Sequence, residues 1–184
     1  ENGIREDLMK VIDTNRIYYD AYVTRPYIIY KDKSHAVHIF ELFKKIWNKR
    51  NILFVEGELA FTGIRNDLFD EAASIRRILA PSKNAFLSYK RLLNIVKENV
   101  FDDTLVLISL GPTATVLAYD LTIEGIQALD IGQLDNEYEW YLRGVSERVK
   151  IPGKCVAEIS GGHDVQVIED ITYTKQIIAK VELV

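Results

Sequence analysis

Residues 104–132, TLVLISLGPTATVLAYDLTIEGIQALDIG, contain one strand–helix–strand unit, and this unit decides the fold. The apolar run TLVLISLG (104–111) has the length and composition of a strand that is buried on both faces. Pro112 opens the next segment and Gly125 closes it, which predicts a helix between them, because proline favours the first helical turn and glycine the position past the end. IQALDIG then predicts a second short strand.

The same alternation extends upstream of this unit. NILFVEGE predicts another strand buried on both faces, and SIRRILAP predicts a shorter one that ends at Pro81. Three helices are predicted from caps and apolar spacing: 34–50, with Ser34 as cap and Ile39, Leu42, Phe43 and Ile46 on its buried face; 66–73, with Asn66 or Asp67 as cap; and 84–99, with Asn84 as candidate cap.

Strands that alternate with helices build a parallel sheet with right-handed crossovers. We therefore expect an α/β fold, a Rossmann-like parallel sheet flanked by helices, in a single domain over residues 1–184. Residues 1–33 are rich in tyrosine and predict an irregular lead-in, which either packs on the domain or forms a homo-oligomer interface. The pattern of residues 150–184 does not decide between helix and strand.

Composition excludes several classes of protein. The net charge of −4 and the scattered Lys and Arg residues argue against a nucleic-acid-binding protein, which needs a basic stripe. No apolar run approaches the roughly 20 residues that cross a bilayer. Cys155 is the single cysteine and no signal peptide is evident, so we expect a cytoplasmic protein. Since the first residue is Glu1 and not methionine, we expect a trimmed chain that lacks an amino-terminal segment.

Polar residues follow each of the four predicted strands, and in an open parallel sheet ligands bind beyond the carboxyl ends of the strands. The turn after 104–111 is a candidate phosphate site, because a glycine and the first turn of a helix present free N–H groups and the positive helix end to an anion. The alternative is a plain turn capped by Thr113. The residues of this candidate site are Gly111, Pro112, Thr113, Ala114 and Thr115.

The segment ALDIGQLDNEYEW (128–140) collects four carboxylates after the last predicted strand. In an extended chain Asp135, Glu137 and Glu139 fall on one side, whereas in a helix only Asp135 and Glu139 share a face. Oxygen ligands at this spacing suit Mg²⁺ or Mn²⁺. The alternative is a solvated acidic helix face.

Other candidates are weaker when taken alone. Glu56 and Glu58 flank a glycine at a strand end and can supply a base or a ligand. Arg65 and Asn66 can reach a phosphate or a sugar, and Lys83 and Asn84 can contact a nucleotide, although helix capping or solvation explains these residues equally well. His35 and His38 lie one helical turn apart and suit a metal only with a third ligand, so surface or core histidines are the favoured interpretation. His163 follows Gly161-Gly162 in a loop where it can contact substrate, although a plain loop histidine is favoured. Cys155 has no evident nucleophile partner in the sequence.

The core from about Arg25 to Gly144 resembles the GT-D glycosyltransferases, a bacterial family first catalogued as a domain of unknown function. The resemblance rests on blocks that occur in family order: RPYIIYKDKS, ILFVEGE, RNDLFD, PSKNAF, LGPTATVLAYDL and ALDIGQLDNEYEW. Two features depart from the family pattern. No GDGE-like acidic segment precedes Glu56, and glutamine stands at position 133 where the family has histidine.

The resemblance implies a Rossmann-like fold and metal-assisted transfer of a hexose, most often glucose, from a UDP-sugar to a glycan or glycoprotein acceptor in surface glycoprotein or polysaccharide biosynthesis. It implies that Asp135 and Glu137 hold Mn²⁺ or Mg²⁺, that the diphosphate lies at 111–115, and that Glu139 or Glu137, before Glu58, is the base. If a missing amino-terminal segment supplies the metal ligands, the acidic run instead supplies a base or a sugar contact. Two other readings remain open, a hydrolase or phosphatase and a non-catalytic sugar-phosphate or nucleotide-binding module.

Overall fold

A five-stranded, all-parallel sheet forms the centre of the computed structural model, which describes residues 2–166 and 169–183. Its spatial order is β4-β3-β1-β2-β5. The strands are β1 (Asn51–Gly57), β2 (Ser74–Ala80), β3 (Thr104–Ser109), β4 (Ala128–Asp130) and β5 (Ile177–Lys180). The predicted α/β class and the parallel sheet are therefore confirmed, and β5 comes from the tail that the sequence pattern left unassigned.

Six α-helices and one short 3-10 helix (Ala85–Ser88) complete the secondary structure of the described residues. The α-helices are α1 (Asn2–Val11), α2 (Ala36–Trp47), α3 (Tyr89–Glu98), α4 (Pro112–Ile123), α5 (Leu134–Arg143) and α6 (Ile171–Gln176). None of them is long and apolar enough to cross a membrane.

The sheet has an apolar layer on each face, because successive strand side chains point to opposite sides. Ile52 and Phe54 of β1 pack with α2, α5 and the β1–β2 connection. Leu53 and Val55, their neighbours in sequence, pack on the other face with α3 and α4. All four β1 side chains are at most 1% exposed, which explains why this strand is apolar without interruption.

The predicted helix over 66–73 is wrong, since this part of the β1–β2 connection folds as successive turns. The Asn66 side-chain oxygen accepts the Leu68 N–H at 3.1 Å, which closes a local turn in place of a helical cap. The Trp47 indole N–H then donates to the Leu68 carbonyl at 2.7 Å. Tertiary hydrogen bonds and the burial of Leu68 and Phe69 therefore outweigh helix propensity here.

Two predicted helices differ at their starts. Helix α2 begins at Ala36 after His35, without a side-chain cap from Ser34, and Leu42 and Ile46 remain 45% and 40% exposed instead of buried. The segment from residue 84 begins with the 3-10 turn, and Asn84 precedes it in a left-handed conformation with no side-chain cap bond.

A crevice opens between β1 and β3 at their carboxyl ends. The connection that leaves β1 packs on one face of the sheet, and helix α4, which follows β3, packs on the other. Such a topological switch point is where open parallel sheets bind their ligands.

Candidate active site at the carboxyl edge of the sheet

A cavity of about 450 Å³ lies at this switch point. Residues that follow β1, β2, β3 and β4 all contribute to its wall, together with the start of α5 and the segment 155–163. The polar residues, glycines and proline that line the cavity include Gly57, Thr62, Ser82, Asn84, Ser109, Gly111, Pro112, Thr113, Gly132, Gln133, Asp135, Asn136, Cys155 and His163. The strand ends therefore meet at one site, as the parallel order predicts.

The turn between β3 and α4 has the geometry of an anion site. Gly111 adopts φ 53° and ψ −146°, a conformation that is essentially restricted to glycine, and Pro112 occupies the first helical turn. No side chain caps this helix, so the alternative of a Thr113 cap is not what the structure shows. Among the described residues, the N–H groups of Gly111 and Thr113 have no hydrogen-bond acceptor. The positive end of α4 is therefore available to a ligand.

Only part of the predicted phosphate segment reaches the cavity. Gly111, Pro112 and Thr113 line it, whereas Ala114 is fully buried in the core between α4 and the sheet. Thr115 is exposed, and its hydroxyl donates to Asp130 at 2.7 Å.

The segment after β2 contributes Ser82 and Asn84 to the cavity wall, whereas Lys83 between them is not part of that wall. The Ser82 hydroxyl oxygen is buried and has no hydrogen-bond partner among the described residues. An unpaired buried hydroxyl at a cavity wall is a group that a ligand can satisfy.

The acidic run folds as helix α5, which puts Asp135 and Glu139 on one face as the helical alternative requires. The buried Lys154 ammonium lies between them, 2.7 Å from Asp135 and 3.1 Å from Glu139. The Asn66 amide also donates to both carboxylates, at 2.8 and 2.9 Å, and the Gly63 N–H donates to Asp135 at 3.0 Å. This face is a charge-balanced interior cluster and not a solvated surface.

Opposing effects set the pKa of Glu139. Burial alone would raise it, but Lys154, Asn66 and Arg143 stabilise the charged form and bring the pKa below its ordinary value. Arg143 approaches Glu139 from the same helix at 3.1 Å.

Glu137 points away from this cluster and holds the amino-terminal lead-in. One carboxylate oxygen accepts the N–H groups of Tyr27 and Ile28, at 3.0 and 2.7 Å, and the other oxygen is buried without a partner among the described residues. Burial raises the pKa of Glu137, although the two amide hydrogen bonds oppose the shift.

Asp135 and Glu137 as placed do not fit a shared divalent cation. Their carboxylates face different partners, and Asp135 is already neutralised by Lys154. The part of the chain that the structure describes contains no group of three or more His, Cys, Asp or Glu side chains arranged to hold a metal. No chemical step is therefore assigned here to a metal at these two residues, and the metal stays a prediction.

Glu56 and Glu58 at the end of β1 also differ from each other. Glu56 is fully buried, 2.5 Å from the Arg77 guanidinium, and it accepts the Tyr173 hydroxyl at 3.2 Å and the Thr62 N–H at 2.9 Å. Glu56 therefore has a structural role inside the protein. Glu58 is exposed and does not line the cavity.

Arg65 lies at a second cavity, of about 490 Å³, with Lys150. Its φ of 66° is left-handed. Arg65 is thus not on the wall of the first cavity, and Asn66 acts through its hydrogen bonds to Asp135 and Glu139.

No pattern in the sequence indicates that Cys155 and His163 lie close together. The structure places the Cys155 sulfur 3.3 Å from His163 Nδ1, and both residues line the first cavity. The pair depends on how residues 155–165 fold, so no sequence spacing could have revealed it.

Comparison with known proteins adds family evidence to this geometry. The family model described as glycosyltransferase GT-D fold matches residues 2–159. This chain belongs to the GT-D fold family.

Two curated relatives are streptococcal. The chain is 42% identical over 162 residues to the probable glycosyl transferase Gly of Streptococcus gordonii, which covers 88% of this chain and 24% of that protein. It is 42% identical over 175 residues to the glycosyltransferase GlyD of Streptococcus pneumoniae serotype 4, which covers 95% of this chain and 21% of that protein. The chain thus spans less than a quarter of GlyD and about a quarter of Gly.

Solved structures show the same fold. A glycosyltransferase (DUF1792) from Streptococcus sanguinis is 39% identical with a TM-score of 0.92, over 98% of this chain and 67% of that one. A structure described as the highly conserved domain of unknown function 1792 with a distinct glycosyltransferase fold is 38% identical with a TM-score of 0.91, over 97% and 64%. The predicted GT-D family and fold are confirmed.

Proposed function

We propose that this GT-D chain binds a UDP-sugar in the cavity at the β1–β3 switch point and transfers its hexose, with glucose as the first expectation, to a glycan or glycoprotein acceptor. The observation that carries the proposal is the uncapped start of α4, where Gly111 and Thr113 offer N–H groups beside a cavity of about 450 Å³. This volume lies in the usual range for a small-molecule site. Family membership and the glycosyltransferase relatives support the same chemistry.

Within this proposal each wall of the cavity has a task. The turn at Gly111 to Thr113 binds the diphosphate and stabilises the negative charge that develops on the leaving group. Ser82 and Asn84, which follow β2, contact the nucleoside or the sugar. The positions of Arg65 and Lys83 off the cavity wall favour a role outside donor binding.

The transfer step needs a base for the acceptor hydroxyl. The acceptor oxygen forms a bond to the anomeric carbon, the bond from that carbon to the diphosphate oxygen breaks, UDP leaves with the electron pair, and a carboxylate takes the hydroxyl proton. None of the predicted bases Glu139, Glu137 and Glu58 lines the cavity. Glu139 is favoured among them because it shares Lys154 and Asn66 with Asp135, the carboxylate that does line it.

One observation favours a second candidate, a non-catalytic module that binds sugar phosphates or nucleotides. The carboxylates of α5 are already paired with Lys154, Asn66 and backbone amides, which is what a purely structural cluster would show. The same cavity would then hold the ligand without transfer.

Calorimetry and a transfer assay separate the two candidates. UDP-glucose is titrated into the chain with and without Mn²⁺, glucose 1-phosphate serves as the comparison ligand, and sugar transfer is measured for wild type, Glu139→Gln and Glu137→Gln. The transferase predicts UDP-glucose binding and loss of transfer in Glu139→Gln without unfolding. Binding of glucose 1-phosphate equal to that of UDP-glucose, without any transfer, would establish the module, and Mn²⁺-independent binding would contradict the metal predicted from the sequence.

A further inference from the structure

His163 enters the cavity on a self-contained loop, which we call the His163 loop (residues 155–165). The Val156 N–H donates to the Gly162 carbonyl at 3.0 Å, and the Gly162 N–H donates to the Ile159 carbonyl at 3.1 Å. A Cβ on Gly162 would lie 1.8 Å from the Val156 oxygen, so only glycine fits there. The residue directly before His163 is therefore fixed by backbone packing.

The loop is also tied to the rest of the site. The Cys155 N–H donates to the Leu59 carbonyl at 2.8 Å, and the Asn136 side-chain amide donates to the Cys155 carbonyl at 3.1 Å. Glu158 accepts from Arg25 at 2.9 Å and from Arg148 at 2.8 Å. The His163 loop is thus held in place against the β1–β2 connection, helix α5 and the lead-in.

The side chains of the cavity wall offer little positive charge, which makes His163 important for binding an anion. Among the described residues that line the cavity there is no lysine or arginine, and the one carboxylate, Asp135, is paired with Lys154. A sugar diphosphate carries about two negative charges, whereas a helix end supplies about half of one positive charge. His163 is the lining side chain that can supply a full positive charge near neutral pH.

The Cys155 contact determines which ring nitrogen is available. Nδ1 of His163 faces the Cys155 sulfur at 3.3 Å, and Nε2 has no partner among the described residues. Burial raises the pKa of the Cys155 thiol even though Lys83 nearby opposes the shift, so the sulfur stays neutral and does not cancel a charge on the ring.

We propose that protonated His163 binds the donor diphosphate through Nε2, with Cys155 as the positioning residue for its ring. The inference rests on the proposed donor site and adds a residue beyond the 2–159 match to the GT-D family model. Donor affinity then decreases from acidic to mildly alkaline pH, because only a protonated imidazole carries the positive charge. The other ionisable groups at this place are Asp135 and Cys155 on the cavity wall, Lys83 near Cys155, and Asp164 and Lys150 on the second-cavity side of the loop.

The test is UDP-glucose binding by calorimetry at about pH 5.5 and about pH 8, on either side of the ordinary histidine pKa of about 6.5. UDP-glucose is the probe because its diphosphate has no ionisation in this range. Wild type is expected to bind about tenfold tighter at the lower pH, the size of one charge-assisted hydrogen bond. His163→Gln is expected to bind weakly and equally at both pH values, and His163→Arg tightly and equally.

The matched control is His38→Gln, on the exposed face of α2, which keeps the wild-type pH dependence. Cys155→Ala is expected to weaken UDP-glucose binding at about pH 5.5, because the ring loses its contact at Nδ1. Cys155→Ser, which keeps a hydrogen-bonding group, is expected to restore the wild-type affinity. Near-ultraviolet circular dichroism checks that each variant is folded.

An equal pH dependence in wild type and His163→Gln would overturn the role of His163 while leaving the donor site intact. Wild-type affinity in Cys155→Ala, or no recovery of affinity in Cys155→Ser, would overturn the positioning role of Cys155. No UDP-glucose binding by wild type at either pH would instead overturn the proposed function, and the inference with it.

Discussion

Helix α5 and the start of helix α4 lie at the same edge of the sheet, but they differ in whether their polar groups are paired within the protein. The carboxylates of α5 are paired inside the protein with Lys154, Asn66 and the amides of Tyr27 and Ile28, except for one buried oxygen of Glu137. The start of α4 carries no ionisable side chain, yet within the described part of the chain its N–H groups at Gly111 and Thr113 have no acceptor, and they lie beside a cavity. Apart from the base proposed at Glu139, the charged groups of α5 stabilise the scaffold, and the unpaired N–H groups of α4 mark where a ligand binds.

The largest effect is expected from Lys154→Met. This change leaves Asp135 and Glu139 buried without their cation, which should lower the free energy of unfolding by about 3–5 kcal/mol. Urea unfolding at neutral pH measures it. The control is Arg143→Met, whose partly exposed pair with Glu139 is worth below about 1 kcal/mol. Similar losses in the two variants would mean that the α5 cluster is not a buried scaffold.

The next largest effect is expected at the start of α4. Gly111→Ala forces alanine into a conformation that costs about 1–3 kcal/mol, so we expect lower stability and weaker UDP-glucose binding, since the turn must readjust. The matched control is Gly125→Ala, at the other end of the same helix, where φ is +84° and an added Cβ also meets open space. It should lose stability and keep its affinity. Equal loss of UDP-glucose affinity in both variants would show that the turn at Gly111 does not bind the ligand.

The two glutamates of α5 should respond to pH with opposite signs. Glu137 has a raised pKa in the folded protein, so its contribution is present below the ordinary value of 4.5 and is lost as the pH rises through the raised value. Glu139 has a lowered pKa, so its contribution is present above 4.5 and is lost as the pH falls through the lowered value.

Urea midpoints of wild type, Glu137→Gln and Glu139→Gln between about pH 3 and about pH 7 test this difference, since the window spans the ordinary glutamate pKa of 4.5. The urea midpoint of Glu137→Gln, relative to that of wild type, should increase as the pH rises. The relative midpoint of Glu139→Gln should increase as the pH falls. The same sign in both variants would contradict the opposite environments of the two side chains.

The smallest expected effect is the difference in UDP-glucose affinity between variants of two threonines at the start of α4. Thr113 lines the cavity and Thr115 does not, so Thr113→Val should weaken UDP-glucose binding by about threefold, as for a modest hydrogen bond. Thr115→Val loses only an exposed hydroxyl bond to Asp130 and should change stability by about 0.5 kcal/mol or less, with unchanged affinity. Weaker binding in Thr115→Val would extend the site beyond the described cavity.

The sheet and helix α4 could be predicted because their signals are local. Uninterrupted apolar runs mark β1 and β3, and Pro112 and Gly125 bracket α4 in the sequence and in the structure. The helix over 66–73 was wrongly predicted because its residues are held by partners far away in sequence, such as Trp47.

The candidate site could be predicted to the level of the strand ends, but not to the level of pairs. The sequence shows that Asp135 and Glu139 share a helix face, yet nothing in it indicates that Lys154 lies between them. The Cys155–His163 contact likewise depends on the fold of the His163 loop. Pairings of this kind are set by tertiary packing, which local patterns do not encode.

A crystal structure of this chain with UDP-glucose and Mn²⁺ tests the central claim most directly. We expect the diphosphate within hydrogen-bond distance of the Gly111 and Thr113 N–H groups, with the Lys154 ion pairs to Asp135 and Glu139 unchanged. A diphosphate bound at Arg65 and Lys150, or a cation that displaces Lys154 from Asp135, would contradict the assignment of α5 to the scaffold and of the α4 start to the ligand.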